Sequence, residues 1–479
     1  MTNDIEAYSP RLTFLSEKAV KKLLDTALQL IESTGQHVAH EGALKLLKSA
    51  GCKVADGGMV TIPTALVEKA IKSAPANISM YNREGELAME LGGRRSYYGT
   101  GSDLFYAIDP GARTRHQSRL EDVKKYARVA DAMPNIDFIM SMAHPYEIPP
   151  KRAYVVSFET MIKNSIKPIV NIADRLEDLT QMWKISAVLR GGEQQLRDKP
   201  FTIQYAEPIS PLLHPVDSIE RLMFCAEVGM PVIYSPAPMA GTTAPITIAG
   251  HVVQGVAESL FGLVIHQLKS PGAPFLIGVG PAVFDMKTSQ SLYNAPEYLM
   301  AYLAFVAMAK ELDIPNWGYS GTSDAQIPDG QATFEAGLAT FMAATSGSNL
   351  NHDVGYLDFG RTGSLEMIVM VNEMIDQIKR MQKGLIIDDN ELALDVIAEV
   401  GHKGNFLEHD HTLNNFRSTQ WQPQLFSRKP QHIWENEGST TLLERATAKL
   451  NTILDSYEPQ ALSEDKAKAI EELVTGFQP

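Results

Sequence analysis

SNLNHDVGYLDFG (residues 348–360) opens like a β-strand and closes like something else. Small and apolar residues around Leu350 give way to His352 and Asp353, then Gly355, then Tyr356 and Phe359. A short apolar run bounded by turn residues reads as a buried strand. Seven earlier runs share its form: RRSYYGTGSD (94–103), IDFIMSMAHP (136–145), KPIVNIADR (167–175), FTIQYAEP (201–208), PVIYSPAP (231–238), PFLIGVGP (274–281) and PNWGYSGTSD (315–324). They recur roughly every 30 to 43 residues, room for one strand and one returning helix. Helical stretches such as LEDVKKYARVADAM (120–133), SIERLMFCAEVG (218–229) and APEYLMAYLAFVAMAKELD (295–313) fill the gaps. Eight successive βα units predict an α/β fold, a (β/α)8 TIM barrel over residues 96–385. An open doubly wound sheet is the structural alternative, but neither GTGSD nor GVGP opens a helix as a dinucleotide fingerprint requires.

The flanks read differently. Residues 1–95 predict a small α+β domain: Ser16 caps a helix with apolar positions Val20, Leu23, Leu24, Ala27, Leu28 and Ile31, and Gly35 ends it. HEGALKLLKSAG (40–51) is a second helix, a third starts at Pro63, and NISMYNREGELAMEL (77–91) reads as a β-hairpin. Residues 386–479 return to helices (388–401, 440–459 and 463–477) around a polar run holding HDHT and TQWQPQLFSRKP. This C-terminal helical region is expected to pack on the barrel, with the polar run over one end.

Bulk composition excludes several classes. A formal net charge of −14 argues against nucleic acid. Cys52 and Cys225 are far apart, so no disulfide framework or zinc ribbon is expected, and a reducing cytoplasm is the default compartment. The N-terminal MTNDIEAYSPRLTF lacks the basic and apolar regions of a secretory signal. No apolar run is read as long enough to cross a membrane.

In a barrel of this kind, chemistry belongs at the C-terminal strand ends. Those ends offer Asp103, His144, Asp174, Tyr205 with Glu207, Tyr234, Gly278 with Gly280, Tyr319 with Asp324, and His352 with Tyr356. The absence of a strand-end lysine argues against a Schiff-base aldolase. The one close histidine pair, His409 and His411, lacks a third ligand, so no metal site is expected. Paired carboxylates including Glu207 suit a hydrolase. Aromatics beside acids suit a different ligand: a quaternary ammonium has no N–H to donate and is held by aromatic faces and negative charge. Tyr97, Tyr98, Phe105, Tyr205, Tyr234, Trp317, Tyr319, Tyr356 and Phe359 all fall at or near the expected strand ends, although a single barrel-end tyrosine more often packs than binds.

Longer segments carry a resemblance. PISPL (208–212), PMAGTTAPITIAG (238–250), PGAPFLIG (271–278), SDAQIPDGQATFEAG (323–337) and FLEHDHT (406–412) with WQPQLF after it resemble the trimethylamine methyltransferase superfamily, in its members without pyrrolysine. Within that family the chain looks most like a glycine betaine:corrinoid methyltransferase. The resemblance implies a barrel that moves a methyl group from a methylamine to Co(I) of a corrinoid. It also implies that the cobalamin-type cofactor rides on a small separate protein that docks at the barrel mouth. Archaeal relatives carry pyrrolysine, which is missing here; its place is expected near Gly330. A quaternary amine is already activated, leaves as a neutral tertiary amine such as dimethylglycine, and needs no general acid.

On that basis Tyr97, Tyr205, Tyr356 and Phe359 are expected to surround the ammonium, with Asp103, Glu207 or Asp324 adding charge. His352 is expected to hydrogen-bond the betaine carboxylate, helped by Gln331. No acid–base catalyst is assigned; Gln331 and Glu335, four apart on one helix face, are the candidates nearest that role, and Glu335 equally suits a brace. His409 and His411, with Trp421, are expected to touch the corrinoid or its protein. Barrels of this kind often self-associate. A carboxylate-pair hydrolase and a non-catalytic betaine-binding protein stand as alternatives.

Overall fold

A computed structural model describes residues 7–479. Eight parallel strands close into a ring, each of the eight runs supplying one. In order they are Tyr97–Tyr98, residues 138–139, Ile169–Ile172, Thr202–Ala206, Val232–Tyr234, Phe275–Ile277, Trp317–Tyr319 and Leu350–His352. The second strand is held by single bridges, Gly99 to Phe138 and Ile139 to Ile169. Closure comes where Leu350 pairs with Tyr97 and Asn351 with Tyr98. The α/β barrel expected from the sequence is the fold, and eight helices return outside it: Leu120–Ala132, Pro150–Asn164, Leu176–Arg190, Val216–Val228, Ile248–Lys269, Pro296–Glu311, Gly330–Ser346 and Leu365–Gln382.

Strand periodicity sorts the apolar residues into two cores. Inward-facing Phe138, Met140, Val170, Ile203, Ile233, Leu276, Trp317 and Leu350 fill the barrel. Their neighbours Ile169, Val232, Phe275 and Ile277 point outward into the helical layer. The N-terminal hairpin, Ile78–Tyr81 with Leu87–Leu91, inserts Ile78, Met80, Met89 and Leu91 into the inner core and so plugs the barrel floor.

Ser16 caps the first helix, Glu17–Ser33, by accepting from the Ala19 N–H at 3.3 Å, as its position before the apolar periodicity implies. The N-terminal strand Gln36–Val38 pairs in parallel with Leu213–His214, so the small domain shares a sheet with a barrel loop. His214 fastens that joint, contacting Tyr234 Oη at 2.8 Å through Nδ1 and Gln36 Oε1 at 2.7 Å through Nε2.

One expectation changes. Among the described residues one helix, Ile248–Lys269, is long and apolar enough to cross a membrane by length and composition, contrary to the sequence reading; most of it is buried in the helical layer. The C-terminal helices pack on the barrel's outer helices: Leu442–Ser456 on Leu365–Gln382 and Leu120–Ala132, and Glu464–Thr475 on Leu176–Arg190. Glu373 Oε1 accepts from the backbone N–H groups of Gln424 and Leu425, and Trp421 Nε1 donates to Asp376 at 2.7 Å, tying the polar run to the barrel's last helix.

Candidate functional site

At the C-terminal strand ends a cavity of about 350 Å³ opens toward solvent. Its walls are aromatic. Tyr205, Tyr293, Tyr298, Tyr302, Trp317, Tyr319, His352 and Tyr356 all line it. Trp317 and His352, on neighbouring strands, stack with centroids 4.1 Å apart, and Tyr205 leans on Trp317 at 6.0 Å. Tyr319 receives the edges of Tyr298 at 4.6 Å and Tyr302 at 4.8 Å, while Tyr293 stacks on Tyr298 at 5.7 Å. Three acids interrupt the aromatic wall: Asp103, Glu207 and Asp353.

Backbone geometry at the strand ends produces this convergence. Asp103 and Asp353 both take left-handed conformations, with φ of 58° and 74°, which turn the chain inward just past the first and eighth strands. Gly355 completes the second turn with φ of 101°; a β-carbon there would lie 2.7 Å from Ile368 Cγ1.

Tyr205 donates its hydroxyl to Glu207 Oε2 at 2.8 Å. Crowding by protein raises the Glu207 pKa, and the Tyr205 hydrogen bond draws it partly back. Burial raises Asp353 well above the ordinary carboxylate range, with the Tyr356 hydroxyl opposing. His144 sits 3.9 Å from Asp103, whose carboxylate raises the imidazole pKa against the effect of burial.

Of the residues expected at the site, Asp103, Tyr205, Glu207, His352 and Tyr356 are brought together around the cavity. Tyr97 is not: it lies at the opposite end of its strand, packs on the inner core, and accepts a hydrogen bond from the Glu90 N–H at 3.1 Å. Phe359 is half-buried outside the cavity, with the Arg361 guanidinium 5.2 Å over its ring. Asp324 faces away from the cavity. Its carboxylate accepts from the backbone N–H groups of Tyr293 and Asn294, at 3.1 and 2.9 Å, and so pins the segment that carries Tyr293. Burial, with Glu335 nearby, raises its pKa to about 6.

Gln331 and Glu335 do meet on one helix face, at 2.9 Å, but behind the wall. Glu335 accepts from Ser323 Oγ at 2.6 Å and from the Asp324 N–H at 2.9 Å, so it braces the loop that holds Asp324. Gly330, the expected pyrrolysine position, starts that helix and does not line the cavity.

His352 is in the cavity wall, but not as a donor to a carboxylate. Its Nδ1 lies 2.6 Å from the Gly318 carbonyl oxygen and must carry the hydrogen. Nε2 therefore presents a lone pair, 3.3 Å from Asp353 Oδ1. Burial lowers the imidazole pKa to about 4, keeping the ring neutral.

His409 and His411 take the other course open to a close histidine pair. His409 caps the helix Asp410–Thr419, its Nδ1 accepting from the His411 N–H at 3.0 Å. Among the described residues no group of three or more His, Cys, Asp or Glu is placed to hold a metal ion.

Tyr293, Tyr298 and Tyr302 were not foreseen. The last two recur four apart on a helix that is apolar between its charged ends, which reads as core packing. Tyr293 lies in a loop, and its signal was the pair Asp324–Tyr293, invisible without the fold.

An aromatic, acid-lined chamber thus stands at the mouth of a (β/α)8 barrel. Comparison with known proteins gives the family: the chain belongs to the trimethylamine methyltransferase (MTTB) family, whose model matches residues 1–476. It is 32% identical to the trimethylamine methyltransferase MttB of Desulfitobacterium hafniense (strain DSM 10664 / DCB-2), over 97% of this chain and 93% of that one. It is 30% identical to the glycine betaine methyltransferase of Desulfitobacterium hafniense (strain Y51), over 95% and 94%. A solved structure of the hydroxylamine MtmB complex matches the fold with a TM-score of 0.50 at 14% identity, covering 94% of this chain and 96% of that one.

Proposed function

We propose that this methyltransferase moves a methyl group from a quaternary amine to Co(I) of a corrinoid carried by a partner protein. The observation that carries the reading is the lining of the cavity: eight aromatic rings, three carboxyl groups, and no lysine or arginine. Such a wall holds a cation that cannot donate a hydrogen bond.

Each group has a task in that reading. Trp317, Tyr205, Tyr293, Tyr298, Tyr319 and Tyr356 present ring faces or edges around the ammonium and exclude water from it. Glu207 and Asp103 balance its charge. His352 keeps Trp317 in place by stacking and, being neutral, adds no repulsion. The hairpin under the barrel closes the floor, so the methyl group to be transferred faces the mouth. A corrinoid supplies Co(I), a strong nucleophile for methyl, while the C–N electron pair stays with the departing neutral amine. No general acid is required.

The residues at the mouth suit a partner that brings the corrinoid. Phe105, Tyr146, Ile209, Ile246 and Met286, on five different loops that follow strands, are large apolar side chains left exposed around it. The two similar relatives act, by their names, on trimethylamine and on glycine betaine, and their nearly equal identities do not choose a donor for this chain.

The test is to incubate the purified protein with reduced cobalamin and a panel of quaternary amines, following cobalamin methylation by absorbance. Methylation with at least one amine is the expected result. If none is a donor, the reading is wrong.

A further inference from the structure

The charge pattern inside the chamber narrows the donor, on the quaternary-amine reading above. In glycine betaine one methylene separates the ammonium from the carboxylate, so a cavity that holds the first also holds the second. The lining holds three carboxyl groups and no lysine or arginine, and its one histidine has its Nδ1 hydrogen spent on the Gly318 carbonyl and its Nε2 3.3 Å from Asp353 Oδ1. Glu207 has one oxygen occupied by the Tyr205 hydroxyl and one left to accept. The donors in the lining are all uncharged: the hydroxyls of Ser102 and Ser235 and the tyrosine phenols, of which Tyr205 is spent on Glu207, Tyr302 on Asn351 and Tyr356 on the Ser102 carbonyl, while Tyr319 Oη is buried without a partner.

Cationic side chains occur across Glu207, in the adjoining cleft. There Arg175 is paired with Asp178 at 2.7 Å and Arg221 donates to the Asp174 carbonyl; Lys151 is a third cation, and the cleft adds the acids Asp174, Asp178 and Asp217. Glu207 stands between these cations and the aromatic chamber, lining both. A carboxylate one carbon from the ammonium meets Glu207 before it meets an arginine.

We infer that the donor is a quaternary ammonium alcohol, whose hydroxyl donates to Glu207 Oε1, and not a betaine. The cation satisfies the aromatic wall and the hydroxyl meets an open acceptor, where a carboxylate would stand beside Glu207 with no lysine or arginine in the lining.

Calorimetric titration of the full chain with choline, tetramethylammonium and glycine betaine tests this without the corrinoid or its carrier. Choline is expected to bind tightest, tetramethylammonium severalfold more weakly, and glycine betaine at least tenfold more weakly than choline. Glycine betaine binding as tightly as choline overturns the inference and leaves the quaternary-amine site standing. Failure of all three overturns the site itself. In Glu207→Gln the two ligands are expected to move in opposite directions, choline weakening and glycine betaine tightening. A general loss of folding cannot produce that divergence, and equal weakening of both removes Glu207 from the selection.

Discussion

Tyr205 and Glu207 leave the fourth barrel strand on the same side, and the phenol donates to the carboxylate across 2.8 Å. The pair couples an aromatic wall residue to a charge. Because the hydrogen bond favours the ionised form, it opposes the rise in the Glu207 pKa that crowding imposes. In Tyr205→Phe the carboxyl loses that support and its pKa moves further up. The pH at which cation affinity reaches half its maximum should therefore shift upward, with the high-pH affinity reduced severalfold. Titrations of tetramethylammonium across pH 5–9 in both proteins measure it; coincident curves would show that Glu207 does not set the charge of the site.

The unaltered protein carries a related pH dependence. Glu207 and Asp353 both have raised pKa values, so at low pH they hold protons that a bound cation must expel. Affinity for a quaternary ammonium should thus rise with pH. A flat profile between pH 5 and 8 would mean that neither carboxyl changes charge on binding.

Asp324 acts on the cavity through Tyr293. Asp324→Ala frees the two backbone N–H groups that hold Tyr293 and Asn294. The expected effect is a roughly tenfold rise in KM, or about 1.4 kcal/mol, with a smaller change in kcat. Asp324→Asn keeps an acceptor and should recover part of the loss. Equal KM values in Asp324→Ala and the unaltered enzyme would detach this brace from the site.

Trp317 offers the largest aromatic face in the cavity and belongs to the inner core as well. Trp317→Phe retains packing but weakens the cation–π contact, and a loss of about 0.5–1.4 kcal/mol, roughly two- to tenfold in affinity, is expected. Titration with tetramethylammonium reads it directly, and a melting curve confirms that the fold persists.

Acid stability follows from two histidines that are buried at the other side of the barrel wall. Burial lowers His214 and His266 to about 3, against an ordinary value of 6.5. The unfolded chain therefore takes up protons that the folded chain refuses. The stability these groups contribute is complete above pH 6.5 and is lost progressively as pH falls toward 3, a change on the order of several kcal/mol. Urea midpoints measured from pH 7.5 to 4 should fall steadily. His214→Gln should be less stable at neutral pH and less sensitive to acid.

The barrel was legible because each strand is a compact apolar run fenced by proline or glycine, and because eight of them recur with room for a helix between. That argument needs no contact information. The site was legible only where a strand end carries its own chemistry, as at Tyr205, Glu207, His352 and Tyr356. Tyr97 misled because a two-residue strand does not declare which end is the mouth; its ring turns to the floor. Asp324, Gln331 and Glu335 are polar and close to the mouth in sequence, yet they spend their hydrogen bonds on one another and on backbone. Tyr298 and Tyr302 were hidden by the opposite disguise, polar-tipped rings in a helix that otherwise reads as core. His352 was located correctly, but its hydrogen-bonding sense depends on the Gly318 carbonyl, contributed by the neighbouring strand.

The plug formed by Met80, Met89 and Leu91 has a kinetic meaning. A chamber stopped from below is entered from the mouth side, where the proposed methyl acceptor would dock. On that reading the donor enters before the acceptor arrives, and the demethylated amine leaves after it departs. Steady-state rates with donor and acceptor varied together should accordingly obey compulsory-order kinetics, and excess acceptor should inhibit by trapping the chamber empty.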